Sequence, residues 1–167
     1  MGIFDFLKPK TVPKKPEKKS LANKEEPDNP RKHGDPNYKI DLNERLKRYR
    51  RESKKQIDAG IEPEPIEQII GFVHQHNAII DYKNKDFEAA KAGLQEAMEK
   101  YYFYTPGGVD YLAKIYRKEK DYKSEIKLIE IGLAYFDERP EINWSTSKIE
   151  SLQKRLVKAK ELDNKKG

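Results

Sequence analysis

Leu112-Ala-Lys-Ile-Tyr-Arg-Lys-Glu-Lys-Asp-Tyr-Lys-Ser-Glu-Ile-Lys-Leu-Ile-Glu-Ile-Gly-Leu133 is the stretch whose reading decides the fold. Val109, Leu112, Ile115 and Tyr116 recur at helical spacing, which predicts a helix over about residues 108–119. Thr105-Pro106-Gly107-Gly108 before it reads as a turn. Asp121 suits the start of a second helix through Phe136, with Tyr122, Ile126, Ile129 and Leu133 on its apolar face. Shifting the chain by 35 residues brings a similar pattern into register. Ala78 meets Ala113, Ile80 meets Ile115, Lys83 meets Lys118, and Lys85-Asp86-Phe87 meets Lys120-Asp121-Tyr122. Leu94 then meets Ile129, and Ala97 meets Gly132. Two antiparallel helices approach closely only where side chains are small, so conserving small size at an offset predicts two helical hairpins of one design.

These residues resemble the tetratricopeptide repeat family, helix–turn–helix units of about 34 residues. In the second unit Leu112-Ala113 matches the family's Leu-Gly/Ala pair, Tyr116 its aromatic, and Lys120-Asp121-Tyr122 its Gly-Asp-Tyr turn. Ile129 and Gly132-Leu133 stand at the large and small packing positions. Glu125 departs from the usual alanine, and Asp137 from the usual proline. In the first unit Ala78, Asp86-Phe87, Ala90, Leu94 and Ala97 fit, whereas Asn77 and Asp81 replace a leucine and an aromatic. The resemblance covers residues 66–137 and implies an all-α fold of about two antiparallel, TPR-like units. Repeat 1 is expected over 65–102, with helices at 65–83 and 86–100, and repeat 2 over 107–137.

Two units leave helical faces open at both ends of a stack. A flanking helix at 42–59 carries Leu42, Leu46, Tyr49 and Ile57, with Asp41 and Glu44 in capping-box positions and Gly60 as its stop. A polar capping helix at 147–162 carries Ile149, Leu152 and Leu156, with Ser147 and Glu150 as its box. An open end could alternatively be a dimer interface. The domain thus runs over 40–167, and no segment alternates long enough to predict a sheet.

Composition divides the chain the same way. Of 167 residues, 35 are Lys or Arg and 29 Asp or Glu, for a net charge of +6. The excess is peripheral: residues 1–39 carry +4, 40–60 carry +3, 61–139 carry −4 and 140–167 carry +3. Residues 1–39 hold six of the ten prolines and read as a disordered tail, because they offer little apolar surface to offset ordering entropy. Its tip, Met1-Gly-Ile-Phe-Asp-Phe-Leu7, is hydrophobic and followed by Lys8 and Lys10. Residues 1–10 therefore suggest weak peripheral membrane contact or a docking peptide. Phe6 breaks the myristoylation pattern. The absence of cysteine excludes disulfides and thiolate metal sites, and no apolar run reaches a membrane span, so a cytoplasmic protein is expected.

Nothing in the residues calls for catalysis, a cofactor or a metal. His74 and His76 lie two apart and point in different directions on a helix, and His33 supplies no third ligand. Gly107-Gly108 lacks the Lys-Ser/Thr of a phosphate loop, and Glu62, Glu64 and Glu67 cluster at a helix start without a desolvated pocket. Eight of ten tyrosines fall in residues 82–135, and Tyr101-Tyr102-Phe103-Tyr104 cannot all face one core. The expected role is that of a non-catalytic interaction adaptor.

In the resembled family the first helices of the units line a groove for a partner segment. The resemblance places Phe72, Gln75, Ile79 and Tyr82 there from the first unit, with Asp110, Lys114 and Arg117 from the second. This mixed apolar and basic lining suits a protein partner with hydrophobic anchors and some acid. Gln75, Ile79 and Tyr111 stand where the family's clamp for chaperone C-terminal carboxylates needs Lys and Asn, which argues against that partner. The alternative is nucleic-acid or anionic-membrane binding through helix 42–59 and the tail. That helix carries Arg45, Lys47, Arg48, Arg50 and Arg51, then Lys54 and Lys55, with Tyr49 for stacking. Glu44, Glu52 and Asp58 dilute the run and no nucleic-acid reader motif accompanies it, so nucleic acid is the weaker expectation.

Overall fold

The structure is a computed structural model that describes residues 35–166. Among these residues six α-helices follow one another: α1 (Leu42–Asp58), α2 (Ile66–Lys83), α3 (Phe87–Gln95), α4 (Pro106–Glu119), α5 (Tyr122–Asp137) and α6 (Thr146–Lys166). No strand occurs among the described residues, so the all-α expectation holds. No helix among them is long and apolar enough to cross a membrane.

The connections explain the boundaries. Asp41 caps α1, its carboxylate accepting from the Glu44 N–H at 2.8 Å. At the other end Gly60 adopts φ +74°, and the Gly60 and Ile61 N–H groups bond back to the Ile57 and Gln56 carbonyls. This is a Schellman stop, which needs a residue free to enter the left-handed region. Between α2 and α3, Lys85 takes φ 66° and donates to the Tyr82 carbonyl, while Asp86 caps α3 through the Ala89 N–H. Between α4 and α5, 35 positions on, Lys120 takes φ 60° and donates to the Arg117 carbonyl, and Asp121 caps α5 through the Ser124 N–H.

The pairings run antiparallel. Tyr82 meets Phe87 at the α2–α3 turn, Ala78 faces Gly93 further along, and Gly71 abuts Phe103 at the far end. In the next pair Arg117 meets Glu125 near the turn and Val109 lies against Gly132. A methyl group at Gly93 would lie 2.8 Å from the Ala78 Cβ, so the spacing of α2 and α3 requires a missing side chain there. One continuous core forms from Leu94, Met98, Val109, Leu112, Ile115, Ile129, Phe136 and Leu152.

Several expected boundaries shift. The helix expected over 86–100 leaves α-geometry after Gln95 and continues as a π-turn over Glu96–Lys100. That wider turn accompanies burial of both Ala97 and Met98, neighbours that an α-helix directs about 100° apart. The expected turn at 105–108 is instead the first turn of α4. Thr105 caps it through the Gly108 N–H at 3.0 Å, and Pro106 at the first position gives up no helical hydrogen bond. The capping helix starts before Ser147, where the Ser145 carbonyl already accepts from the Ile149 N–H, and it extends to Lys166.

Of the expected tail, residues 1–34 and with them the tip and its membrane contact lie outside the described residues. Residues 38–40, assigned to the tail or its border, pack on α2. The Asn77 amide exchanges two hydrogen bonds with the Ile40 backbone at 2.8 and 2.9 Å, His76 Nε2 lies 3.0 Å from the Tyr38 carbonyl oxygen, and Lys39 pairs with Asp81 at 2.5 Å. Asn77 and Asp81, which depart from the pattern of the resembled family, hold this segment together with His76.

α1 lies on α2, and the Tyr49 hydroxyl donates to the Glu64 carbonyl at 2.5 Å. α6 lies along α5 and reaches α4, burying Leu152 and Ala159. At their junction Trp144 packs on Phe136 with ring centroids 4.9 Å apart, and its indole N–H donates to the Arg139 carbonyl.

Candidate functional site

α2 and α4 place two residue stripes side by side. On α2, Phe72, Ile79 and Tyr82 follow a helical ridge; on α4, Tyr111, Lys114 and Lys118 do the same at i, i+3 and i+7. The stripes meet where the Tyr82 and Tyr111 rings contact edge to face at 4.9 Å. Phe87, the first residue of α3, closes against Tyr82 at 5.2 Å. Lys118 lies over the Phe87 ring at 3.4 Å and Lys114 over the Tyr111 ring at 5.0 Å. The result is a row of three aromatic rings with an ammonium group at each end, which presents apolar faces and cationic margins together.

The electrostatics are uneven. Lys114 is paired with Asp110 at 2.6 Å, whereas Lys83 and Lys118 are exposed and have no acid partner among the described residues. Tyr82 and Tyr111 are half-buried, and neither hydroxyl has a hydrogen bond among the described residues. Tyr116 contrasts with them. It is buried, its hydroxyl accepts from Gln95 at 2.9 Å, and burial holds its phenol pKa above the usual value.

The seven groove residues expected from the resemblance therefore separate. Phe72 is 41% exposed and rests edge-on against Phe103; Ile79, Tyr82 and Lys114 are partly buried along the two stripes. Gln75 is buried between helices, and its Oε1 accepts from the Thr105 hydroxyl at 3.0 Å. Asp110 is buried between Lys114 and Arg155, the latter 3.3 Å away in an ion pair that lacks hydrogen-bond alignment. Arg117 turns to Glu125, donating to both carboxylate oxygens at 2.6 and 2.9 Å. Arg155 of α6 also approaches Glu125 at 3.5 Å, so Asp110, Arg117, Glu125 and Arg155 form one ionic network across α4, α5 and α6. Sequence reading assigned no site role to Phe87 or Lys118. The spacing of Lys118 from Tyr111 was visible, but the approach of Phe87 depends on the fold.

The aromatic run disperses as its crowding requires. Tyr101 stacks on His74 at 5.5 Å, Phe103 meets Phe72, and Tyr104 meets Tyr135 at 5.0 Å. Tyr102 takes φ 51° and stays 69% exposed. Among the described residues no group of three His, Asp or Glu side chains is placed to hold a metal ion.

The basic run on α1 also divides. Arg45 and Arg48 both reach Glu52, at 3.4 and 2.7 Å. The Arg48 hydrogen bond, with the charges of both arginines, holds the Glu52 carboxyl below its ordinary pKa despite partial burial. Lys47, Arg50 and Arg51 are exposed without an acid partner among the described residues. No protein-family model, curated protein or solved structure matches the chain.

Proposed function

We propose that residues 66–137 are two tetratricopeptide-like hairpins and that the protein is a non-catalytic adaptor. On this reading an extended partner segment with apolar anchors and acidic residues lies along the stripes of α2 and α4. The observation that carries the reading is the Tyr82–Tyr111 contact, which joins the stripes into one surface with ammonium groups at its margins. The repeat assignment draws support from the matching α2–α3 and α4–α5 turns.

The partner class follows from the chemistry. Aromatic faces bury aliphatic or aromatic anchors at small entropy cost, and lysines outside any ion pair favour carboxylates. Asp110, Lys114 and Arg117 are committed to internal ion pairs, so specificity falls to Phe72, Ile79, Tyr82, Tyr111 and Lys118. A photo-crosslinking residue in place of Tyr111, introduced into the full chain in cells, tests this. The same partner band is expected from position 72 and is lost with Tyr82→Ala plus Lys118→Glu. Equal crosslinking from Lys123 on α5, or persistence in that double variant, would contradict the assignment.

A further inference from the structure

We infer that the outward face of α1 docks on an anionic lipid bilayer. α1 uses Tyr49 and Ser53 inward: Ser53 is buried, and the Tyr49 hydroxyl is bound to the Glu64 carbonyl. About a quarter-turn round the helix from them, Lys47, Arg50, Lys54 and Ile57 follow one another at steps of three and four, a single exposed ridge. Arg51 and Lys55 flank that ridge. All five cations are exposed, and none has an acid partner among the described residues. They cover about 12 Å of helix at 1.5 Å per residue.

The ridge ends on aliphatic side chains that the fold leaves uncovered. Ile57 is 61% exposed, and Ile61, fixed just beyond the helix by the bond of its N–H to the Gln56 carbonyl, is 56% exposed. Cations followed by exposed isoleucines complement a bilayer surface, with charge for the phosphate and carboxylate headgroups and aliphatic groups for the acyl boundary. Asp58 and Glu62 adjoin the isoleucines, and limit the cationic stretch to residues 47–55.

A nucleic acid is the less suitable anionic occupant. Its single strands are held by stacking on aromatic rings, and the one aromatic residue of α1, Tyr49, is turned inward and hydrogen-bonded. Ile57 and Ile61 have no role on a phosphate backbone. Arg45 and Arg48 share Glu52, which leaves the outward ridge as the source of uncompensated charge.

The test uses the full chain in a flotation assay at low ionic strength. The probes are phosphatidylserine–phosphatidylcholine vesicles, pure phosphatidylcholine vesicles and a duplex DNA fragment. Binding to the serine-lipid vesicles alone is expected. Lys47→Glu, Arg50→Glu and Lys54→Glu together should lower affinity by roughly a hundredfold, at about fivefold per surface cation. Ile57→Ser should weaken binding severalfold, and the charge-reversed protein should keep the wild-type circular dichroism spectrum. The inference is overturned by absence of vesicle binding, by unchanged affinity in the charge-reversed or Ile57→Ser protein, or by tighter binding to the DNA.

Discussion

Glu125 offers the sharpest test of how α6 is held. Its side chain is 0% exposed, its two oxygens accept from Arg117 at 2.6 and 2.9 Å, and Arg155 approaches at 3.5 Å. Glu125→Ala leaves both guanidinium groups without their shared anion. Breaking a buried ion pair from one side costs about 3–5 kcal/mol. Arg117 and Arg155 keep side-chain exposures of 26% and 20%, so water partly hydrates them after the change. The loss is therefore placed near the lower end, about 3 kcal/mol, a large share of the roughly 5–15 kcal/mol that stabilises a domain. Replacing both partners, as Glu125→Leu with Arg117→Leu, removes the Arg117 charge and leaves Arg155 facing Asp110, and should recover most of the loss. Urea unfolding measures the effect with far-ultraviolet circular dichroism for all helices. Fluorescence of Trp144, the only tryptophan, follows the α5–α6 junction. The Trp144 transition should move at least as far as the helical one. A Glu125→Ala loss below about 1 kcal/mol, or a double variant no better than the single one, would refute the network's role.

Three further outcomes follow from local geometry. Asp121→Ala removes the cap of α5 and should cost about 1 kcal/mol at neutral pH. Hydrogen bonding by Ser124 holds the Asp121 carboxyl below its ordinary pKa, so its stabilisation is complete above the unfolded value and lost as pH falls through the lowered folded one. In urea titrations the gap between wild type and variant should thus stay constant from neutral pH to about 5 and close below about 3.9. Lys120→Gly relieves a left-handed lysine at φ 60° and should raise stability by up to about 1 kcal/mol, read as a higher urea midpoint. Gly132→Val should cost about 1–3 kcal/mol in the same assay, because even a Cβ there would lie 3.0 Å from a Val109 methyl.

What the sequence displayed was local. Helical periodicity, the Asp41, Asp86 and Asp121 caps and the Gly60 stop depend on residues within one or two turns, and each can be read without the fold. The start of α4 was misread: Pro-Gly-Gly suggested a loop, whereas Thr105 caps the helix and Pro106 takes its first position. The π-turn at 96–100 was not legible, because it accompanies the burial of both Ala97 and Met98. The candidate surface was partly legible. Tyr82 and Lys114 were placed by pattern, but Asp110 and Arg117 are engaged by residues from α5 and α6 that no helical spacing links to them. Glu125 stood out only as a departure from alanine; its burial among two arginines supplies the physical reason.

Peptide selection tests the adaptor reading most directly. A random peptide library displayed on phage would be selected on the immobilised full chain and counter-selected on Tyr82→Ala with Lys118→Glu. The account predicts peptides that combine aliphatic or aromatic anchors with Asp or Glu, and that lose binding to the variant and at high salt. Failure to enrich any family of peptides, or enrichment of basic peptides that bind wild type and variant alike, would contradict it.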